Sequence, residues 1–208
     1  MLAMVKHYTA YSVETDRFTF SAPLSAFDLW DSNLPQYERA FVEGGASGAM
    51  CSYFAPNGVS SCGNSYLLND VVRDHWGSTD SIIMSDCSAV GNMRNNGMNL
   101  TDVTASGTAL NAGMDIYGGW GDSLWTDGNL ATAVEEGFSK EEDVDKAVKR
   151  SLLAKMKVGL FDDNLPDEWT SLTVDDLASD YHKQVSYETA LQGFVLLKNE
   201  NSALPLKR

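Results

Sequence analysis

The feature that most constrains the fold is an alternation of short apolar runs with longer helical patterns. The apolar runs end in polar or small residues and lie at 47–53, 81–87 and 111–119. Runs of this length that open into loops are typical of buried strands. Helical patterns lie between them, at 26–45, where Pro35 interrupts the pattern, and at 65–77. This alternation predicts βα units around a parallel sheet, an α/β fold.

About four βα units fit the chain, so we interpret the fold as an incomplete parallel (β/α) TIM-type barrel. The chemistry of such barrels lies at the C-terminal ends of the strands. Four polar side chains follow apolar runs in this way: His7, Tyr53, Asp86 and Asp115. We expect them to converge on one rim of the sheet. An ionised carboxylate at a strand end needs partners or a chemical role, because its burial alone is costly.

The charge balance bears on the partners. The chain has 15 Lys and Arg against 29 Asp and Glu, for a net charge of −14. Nucleic acid is not an expected partner, because phosphate binding favours a basic face. No apolar stretch reaches transmembrane length, and the N-terminus does not have the pattern of a signal peptide, so no membrane association is predicted. The three His are far apart and no C-x-x-C pair occurs, so neither a metal nor a cofactor is predicted.

The three cysteines leave two states open. Cys51 and Cys62 flank a short loop that contains turn-forming residues. A disulfide between them is one expectation in an oxidising compartment, and two reduced thiols are the other. Cys87 is predicted to stay single. Asn99 begins the tripeptide Asn-Leu-Thr, which has the form of a glycosylation acceptor.

The C-terminal third contains the clearest helix. Ser139 and Glu142 have the spacing of a capping box. An apolar stripe follows at i+4 spacing and is predicted to pack on a core; it consists of Val144, Val148, Leu152, Met156 and Leu160. Another helix is predicted near 181–192, and the run after it resembles a strand that continues into a linker.

Several motifs, in the same order, resemble glycoside hydrolase family 3 across nearly the whole chain. They are KHYTAY, DRF, MCSYFAPNG, IIMSDC, AGMDI and GFVLLKNENSALPL. Within that family, the first two motifs and the Ser-Asp-Cys triplet look most like the β-xylosidases of plants and fungi. The resemblance implies that residues 1–165 form part of the barrel domain. Residues 166–208 would form the linker and the start of a following α/β sandwich domain. It also implies an extracellular enzyme.

The resemblance also implies roles for individual residues. Asp86 occupies the position of the catalytic nucleophile of a retaining enzyme that removes terminal β-linked xylose from xylo-oligosaccharides. Lys6, His7 and Arg17 match residues that bind sugar hydroxyls. Tyr53 matches a tyrosine beside the nucleophile, and Met50 belongs to the same motif. Oligosaccharides or aryl glycosides are the expected substrates, and Trp120 or Trp125 would be able to stack on sugar rings.

The chain departs from the family pattern in ways that affect the function. Its first motif follows about half of the barrel in family members. No residue matches the acid/base glutamate of the sandwich domain, since Glu200 belongs to the linker motif. We therefore expect a fragment of a larger enzyme, nearly inactive alone, whose partner is the missing remainder. A β-glucosidase and a non-catalytic sugar-binding or decayed fragment are the alternatives. An aldolase or a phosphate-binding isomerase is a further one, but neither a Schiff-base lysine on a strand nor a phosphate loop is evident.

Each site residue also has a structural interpretation. An aspartate after a strand is often a turn former or a helix cap. His7 has the alternative of a core histidine and Arg17 that of a structural ion pair. Both tryptophans have the alternative of packing in the core or a loop. Retaining hydrolysis independently requires two carboxyl groups roughly 5 Å apart, and donors such as Lys6 or Tyr53 that keep the nucleophile ionised.

Overall fold

The computed structural model describes residues 1–119 and 124–206 and divides the chain into two units, with the boundary between Phe161 and Asp162. The described residues of the first unit form five strands: β1 (Met4–Tyr8), β2 (Ser21–Ala22), β3 (Gly48–Cys51), β4 (Ala55–Pro56) and β5 (Ile82–Ser85).

The main sheet is parallel and has the order β1-β3-β5. In its register, Ala49 lies opposite Val5 on one side and opposite Ile83 on the other. Strands β2 and β4 form a second parallel pair. The predicted strand at 111–119 contributes one parallel bridge, between Ile116 and Met84. Parallel strands with helices between them confirm the predicted α/β class.

The helices of the first unit follow the predicted alternation. The α-helices are α1 (Ala26–Asp28), α2 (Pro35–Val42), α3 (Asp102–Asn111), α4 (Leu130–Glu135) and α5 (Glu141–Lys157). Wider π-type turns form Leu29–Asn33, Tyr66–His75 and Trp125–Asn129, and short 3₁₀ turns form Ser61–Gly63 and Gly91–Arg94. Among the described residues, no helix has both the length and the apolar character that a membrane span requires.

Local sequence explains several helix boundaries. Pro35 is the first residue of α2, where its missing N–H costs nothing. Thr101 caps α3, and the Thr104 side chain returns a bond to the Thr101 backbone, so a capping box is complete. The 66–75 helix buries Leu67, Leu68, Val71 and Val72, as the apolar spacing predicts.

The core lies between one face of the sheet and these helices. Tyr8, Ala49, Cys51 and Ile83 share that face, and all four are fully buried. The opposite face carries the paired Met50 and Met84, which are only partly buried. The sheet is therefore packed on one side and more open on the other.

A disulfide fixes the end of β3. Cys51 is bonded to Cys62, and their Cα atoms lie 5.1 Å apart. Cys87 is a free, exposed thiol. The disulfide therefore ties the end of β3, two residues before Tyr53, to the 61–63 turn.

Two predictions for α5 were wrong. Its N-cap residue is Lys140, which makes no side-chain cap bond, and the Ser139 hydroxyl instead donates to the Gly107 carbonyl oxygen. The predicted apolar stripe is largely exposed at Val148, Leu152, Met156 and Leu160. The helix packs through small residues, Ala147 and Ala154, because α3 and β5 approach that side closely.

The second unit contains α6 (Asp167–Thr170), a 3₁₀ turn at Val174–Asp176, α7 (Asp180–Gly193) and a 3₁₀ turn at Glu200–Ser202. Helix α7 matches the predicted helix near 181–192. Ser179 caps it by accepting from the His182 N–H. Residues 194–199 are extended without strand pairing, so the strand predicted there was wrong.

Candidate active site

Three side chains meet at the carboxyl ends of the three main strands. His7 is near the end of β1, Tyr53 follows β3, and Asp86 follows β5 directly. The Asp86 backbone N–H donates to the Cys51 carbonyl oxygen at 3.1 Å, which extends the β3–β5 pairing to the site. Sheet pairing therefore places the aspartate beside the residues that precede Tyr53.

Asp86 is buried, with 8% of its surface exposed, and both carboxylate oxygens have partners. Oδ1 lies 3.2 Å from the Tyr53 hydroxyl and accepts from the Cys87 backbone N–H at 2.7 Å. Oδ2 lies 3.3 Å from the His7 Nε2 atom. Contacts at both oxygens fix the orientation of the carboxylate, and this arrangement suits an aspartate that acts as a base or a nucleophile.

The Tyr53 hydroxyl stands between two acceptors. Besides Asp86 Oδ1, it contacts the Cys87 carbonyl oxygen at 2.8 Å, and it has one proton for the two. Burial, and next the negative charge of Asp86, raise the pKa of Tyr53 well above its usual range. Tyr53 therefore remains protonated and is a permanent donor at this rim.

Arg17 reaches the site through an aromatic ring. Its guanidinium carbon lies 5.0 Å from the Tyr53 ring centroid and 4.6 Å from that of Phe18, at distances typical of cation–π contacts. Its described ion pair joins Arg17 Nη1 to Glu14 Oε2 at 3.4 Å. Arg17 thus contacts the Tyr53 ring, and no described bond joins it to Asp86.

Lys6 and Met50 have weaker ties to the site. Lys6 is exposed in β1, and its side chain makes no hydrogen bond or ion pair with any described residue. Met50 is partly buried and lies opposite Met84 on the more open face of the sheet. Neither contacts Asp86 through a described hydrogen bond.

Asp115 does not join the rim, so that part of the prediction was wrong. The backbone N–H groups of Asp115 and Ile116 both donate to the Ile83 carbonyl oxygen, which places Asp115 near the start of β5. Its fully buried carboxylate pairs with Arg73 at 3.0 Å and with Arg150 at 2.6 Å. The register of the 111–119 segment against β5 therefore places Asp115 in a structural ion cluster, away from the site that contains Asp86.

Other sequence candidates have different surroundings. Trp125 packs against Tyr117, with ring centroids 5.9 Å apart, and its indole N–H is buried. Trp120 lies outside the described residues. Asn99 is exposed in the loop before α3, where a glycosylation acceptor would be accessible.

The sequence reasoning missed Tyr11 and Glu14. The Tyr11 hydroxyl donates to Glu14 Oε2 at 2.8 Å, and the Tyr11 ring lies edge-on to those of His7 and Tyr53. The sequence signal for this cluster was the i+3 spacing of Tyr11, Glu14 and Arg17, three side chains of types that can bond to one another.

The match to a known family defines the class of this protein. Residues 1–153 match the model of the glycosyl hydrolase family 3 N terminal domain, and the chain belongs to this family. The predicted resemblance is confirmed.

Its relatives include xylosidases and glucosidases. The chain is 35% identical to exo-1,4-beta-xylosidase bxlB of Emericella nidulans, over 100% of this chain and 28% of the relative. It is 34% identical to beta-D-xylosidase 1 of Arabidopsis thaliana, over 98% and 26%. The chain thus spans about a quarter of the length of these curated relatives.

Solved structures of a xylosidase and a glucosidase also resemble this chain. A family 3 exo-beta-xylosidase in complex with a xylobiose aziridine probe superposes with a TM-score of 0.87 at 30% identity, over 100% of this chain and 27% of that one. A beta-glucosidase from Listeria innocua in complex with glucose superposes with a TM-score of 0.84 at 28% identity, over 99% and 28%.

Proposed function

We propose that this chain supplies the nucleophile side of a retaining exo-β-xylosidase. The observation that carries the proposal is Asp86, held at the rim by the Tyr53 hydroxyl, the Cys87 N–H and His7. The xylosidases among the curated relatives support β-linked xylose as the sugar.

The proposed reaction has two displacements. An Asp86 oxygen attacks the anomeric carbon of a terminal β-linked xylose while the bond from that carbon to the leaving oxygen breaks, and the leaving oxygen takes a proton. Water then attacks the same carbon and gives its proton to the group that protonated the leaving oxygen, while the glycosyl ester to Asp86 breaks and the sugar leaves with net retention. Tyr53 stabilises the carboxylate before attack and after release, because it remains a donor.

The proton donor is proposed to come from a part of the enzyme outside these 208 residues. Retaining enzymes place the second carboxyl group about 5–5.5 Å from the nucleophile. Among the described residues, the groups in contact with Asp86 are an imidazole, a phenol and a backbone amide, and none is a carboxylic acid. We therefore expect the 208-residue chain alone to be nearly inactive on xylobiose.

The similarity to family 3 relatives also supports a division of the chain into two domains. We propose that residues 1–165 are part of a (β/α) barrel and that residues 166–208 lead into an α/β sandwich domain. The neighbouring parallel strands in chain order, the helices on one face and the more open face with Met50 and Met84 support a barrel. The boundary between the two compact units, after Phe161, lies near the proposed domain boundary.

Substrate contacts are proposed for three side chains at or near the rim. Lys6, His7 and Arg17 would donate to hydroxyls of the bound xylose, and the charged donors among them bind hydroxyl oxygens strongly. Oligosaccharides and aryl glycosides are the proposed substrates. The ammonium of Lys6 is exposed and has no partner among the described residues, so it suits this role better than a structural one.

A β-glucosidase is the second candidate, because the Listeria structure with glucose superposes nearly as well. The two sugars differ by a hydroxymethyl group at C5. A sugar-binding protein without turnover is the third candidate, and it would retain Lys6, His7, Arg17 and Asp86 while lacking an acid. The disulfide between Cys51 and Cys62 supports a secreted enzyme, since such bonds persist in oxidising compartments.

The test is covalent trapping in the complete gene product. A 2-fluoro-β-xyloside with a good leaving group forms a slowly hydrolysed ester, and peptide mass spectrometry locates it. We expect the label on Asp86 and loss of turnover in Asp86→Ala, because no nucleophile remains. Asp145→Ala, at an exposed position on α5, is the matched control. Label on another residue, or unchanged aryl-xyloside turnover by Asp86→Ala, would overturn the assignment.

A further inference from the structure

The loop at residues 9–18 folds beside the rim around one carboxylate. Glu14 Oε2 accepts from the Tyr11 hydroxyl at 2.8 Å and pairs with Arg17 Nη1 at 3.4 Å. The same oxygen thus joins two side chains on opposite sides of the loop. Glu14 itself is exposed, and no described contact joins it to Asp86.

Both partners of Glu14 contact the site. The Tyr11 ring lies 5.5 Å from the His7 ring and 6.0 Å from the Tyr53 ring, edge-on in each case. The Arg17 guanidinium lies 5.0 Å from the Tyr53 ring centroid. Among the described residues, the side chains of His7 and Tyr53 contact Asp86. Glu14 therefore reaches both of these partners of Asp86 through Tyr11, and it reaches Tyr53 also through Arg17.

The charges around Arg17 make this arrangement consequential. Arg17 Nη1 pairs with Glu14 at 3.4 Å, and its guanidinium lies against the Tyr53 ring, whose hydroxyl contacts Asp86. Loss of the Glu14 carboxylate would free both Arg17 and Tyr11 to leave that ring.

We propose that Glu14 is a positioning residue. It holds Tyr11 and Arg17 against the Tyr53 ring, so that the Tyr53 hydroxyl stays in contact with Asp86, the proposed nucleophile. This inference rests on the proposed hydrolase function, and it adds a residue that acts through Arg17 without touching the substrate.

The first test is a double-mutant cycle in the complete gene product. Glu14→Ala is expected to lower kcat/KM for an aryl xyloside about tenfold, the effect of losing a hydrogen bond to a charged group. Glu14→Gln keeps an acceptor oxygen and should lose less. If Glu14 acts through Arg17, adding Glu14→Ala to Arg17→Ala should cause no further loss, because coupled residues are not additive. Equal losses in both backgrounds would refute the proposal.

The second test needs no glycosidase activity. Trypsin cleaves after Arg17, and release of the loop should speed that cut. We expect Glu14→Ala in the 208-residue chain to accelerate cleavage after Arg17 several-fold, while cleavage after Arg39 in α2 stays unchanged. The control is Glu142→Ala, which removes an equally exposed carboxylate that pairs with Lys146 on α5.

The two tests separate the two proposals. Suppose that Glu14→Ala speeds cleavage after Arg17 but the fluorosugar labels a residue other than Asp86. That result would support the positioning role of Glu14 and refute the proposed function. Labelling at Asp86 with unchanged cleavage and unchanged kcat/KM in Glu14→Ala would refute the positioning role and leave the proposed function intact.

Discussion

At the scale of single residues, the site depends on one phenol that serves two acceptors. Tyr53 contacts the Asp86 carboxylate and the Cys87 carbonyl oxygen, and its ring faces Arg17. Because burial and the neighbouring Asp86 raise its pKa, Tyr53 keeps its proton near neutral pH. The hydroxyl therefore orients Asp86, the proposed nucleophile, without competing as a base.

Removal of the Tyr53 hydroxyl gives a direct prediction. Tyr53→Phe should lower kcat of the complete gene product about tenfold to a hundredfold, because Asp86 loses a donor to its charged oxygen. KM should change less, since the ring that faces Arg17 remains. Steady-state kinetics on an aryl xyloside measure this. Tyr187→Phe, an exposed tyrosine of the second unit, is the control, and equal kcat values in the two variants would contradict the prediction.

At the scale of elements, a buried ion cluster fixes β5. Asp115 accepts from the Ile83 N–H at 2.8 Å and pairs with Arg73 of the 66–75 helix and Arg150 of α5. Arg73 also donates to the Ser81 carbonyl oxygen at 2.8 Å, just before β5. Burial, the largest cause, lowers the pKa of Arg73, while the charge of Asp115 acts in the opposite direction. One carboxylate thus joins two helices to the strand that leads to Asp86.

Loss of the Asp115 charge should lower the free energy of unfolding. Asp115→Asn is expected to destabilise the chain by about 3–5 kcal/mol, because the buried guanidinium of Arg73 and the partly buried one of Arg150 lose their counter-ion. Urea denaturation followed by circular dichroism measures the free energy of unfolding. Asp145→Asn, the same change at an exposed position of α5, should change it by less than about 0.5 kcal/mol. A cost below about 1 kcal/mol for Asp115→Asn would mean that the cluster does not stabilise β5.

At the scale of the whole molecule, the buried tyrosine of β1 links stability to alkaline pH. Tyr8 is fully buried and donates to the Leu67 carbonyl oxygen at 3.1 Å. Burial raises its pKa far above the usual value of 10.0. The neutral phenol therefore contributes its full stability below about pH 10, and that contribution falls as pH rises because the unfolded chain ionises first.

The sign of this linkage can be tested with Tyr8→Phe. At pH 7 the variant should be about 1–3 kcal/mol less stable, because the Leu67 carbonyl oxygen loses its donor. Between pH 8 and 11 this deficit should shrink by about 1.4 kcal/mol, since phenylalanine has no proton to lose in the unfolded state. Urea titrations at these pH values measure it, with Tyr187→Phe as control. A deficit that stays constant or grows would contradict the raised pKa.

Local patterns in the sequence were sufficient for the family, the α/β class, the position of Asp86 after a strand and the helix that forms at Asp180–Gly193. Each depends on residues close together in the chain: an apolar run before an acid, a cap before a helix, or an ordered set of short motifs. Such patterns act before the chain is packed, so they can be read without coordinates.

Tertiary structure decided which of these residues share an environment. Asp86 and Asp115 both follow apolar runs, yet strand register sends one to the rim and the other to two arginines. The stripe on α5 has helical spacing, but the helix packs through Ala147 and Ala154. Glu14 acquires its importance through Tyr11, whose ring packs against those of His7 in β1 and Tyr53 in the loop after β3. The physical reason is that side-chain partners come from distant parts of the chain. Register and packing choose them, and neither is encoded in local spacing.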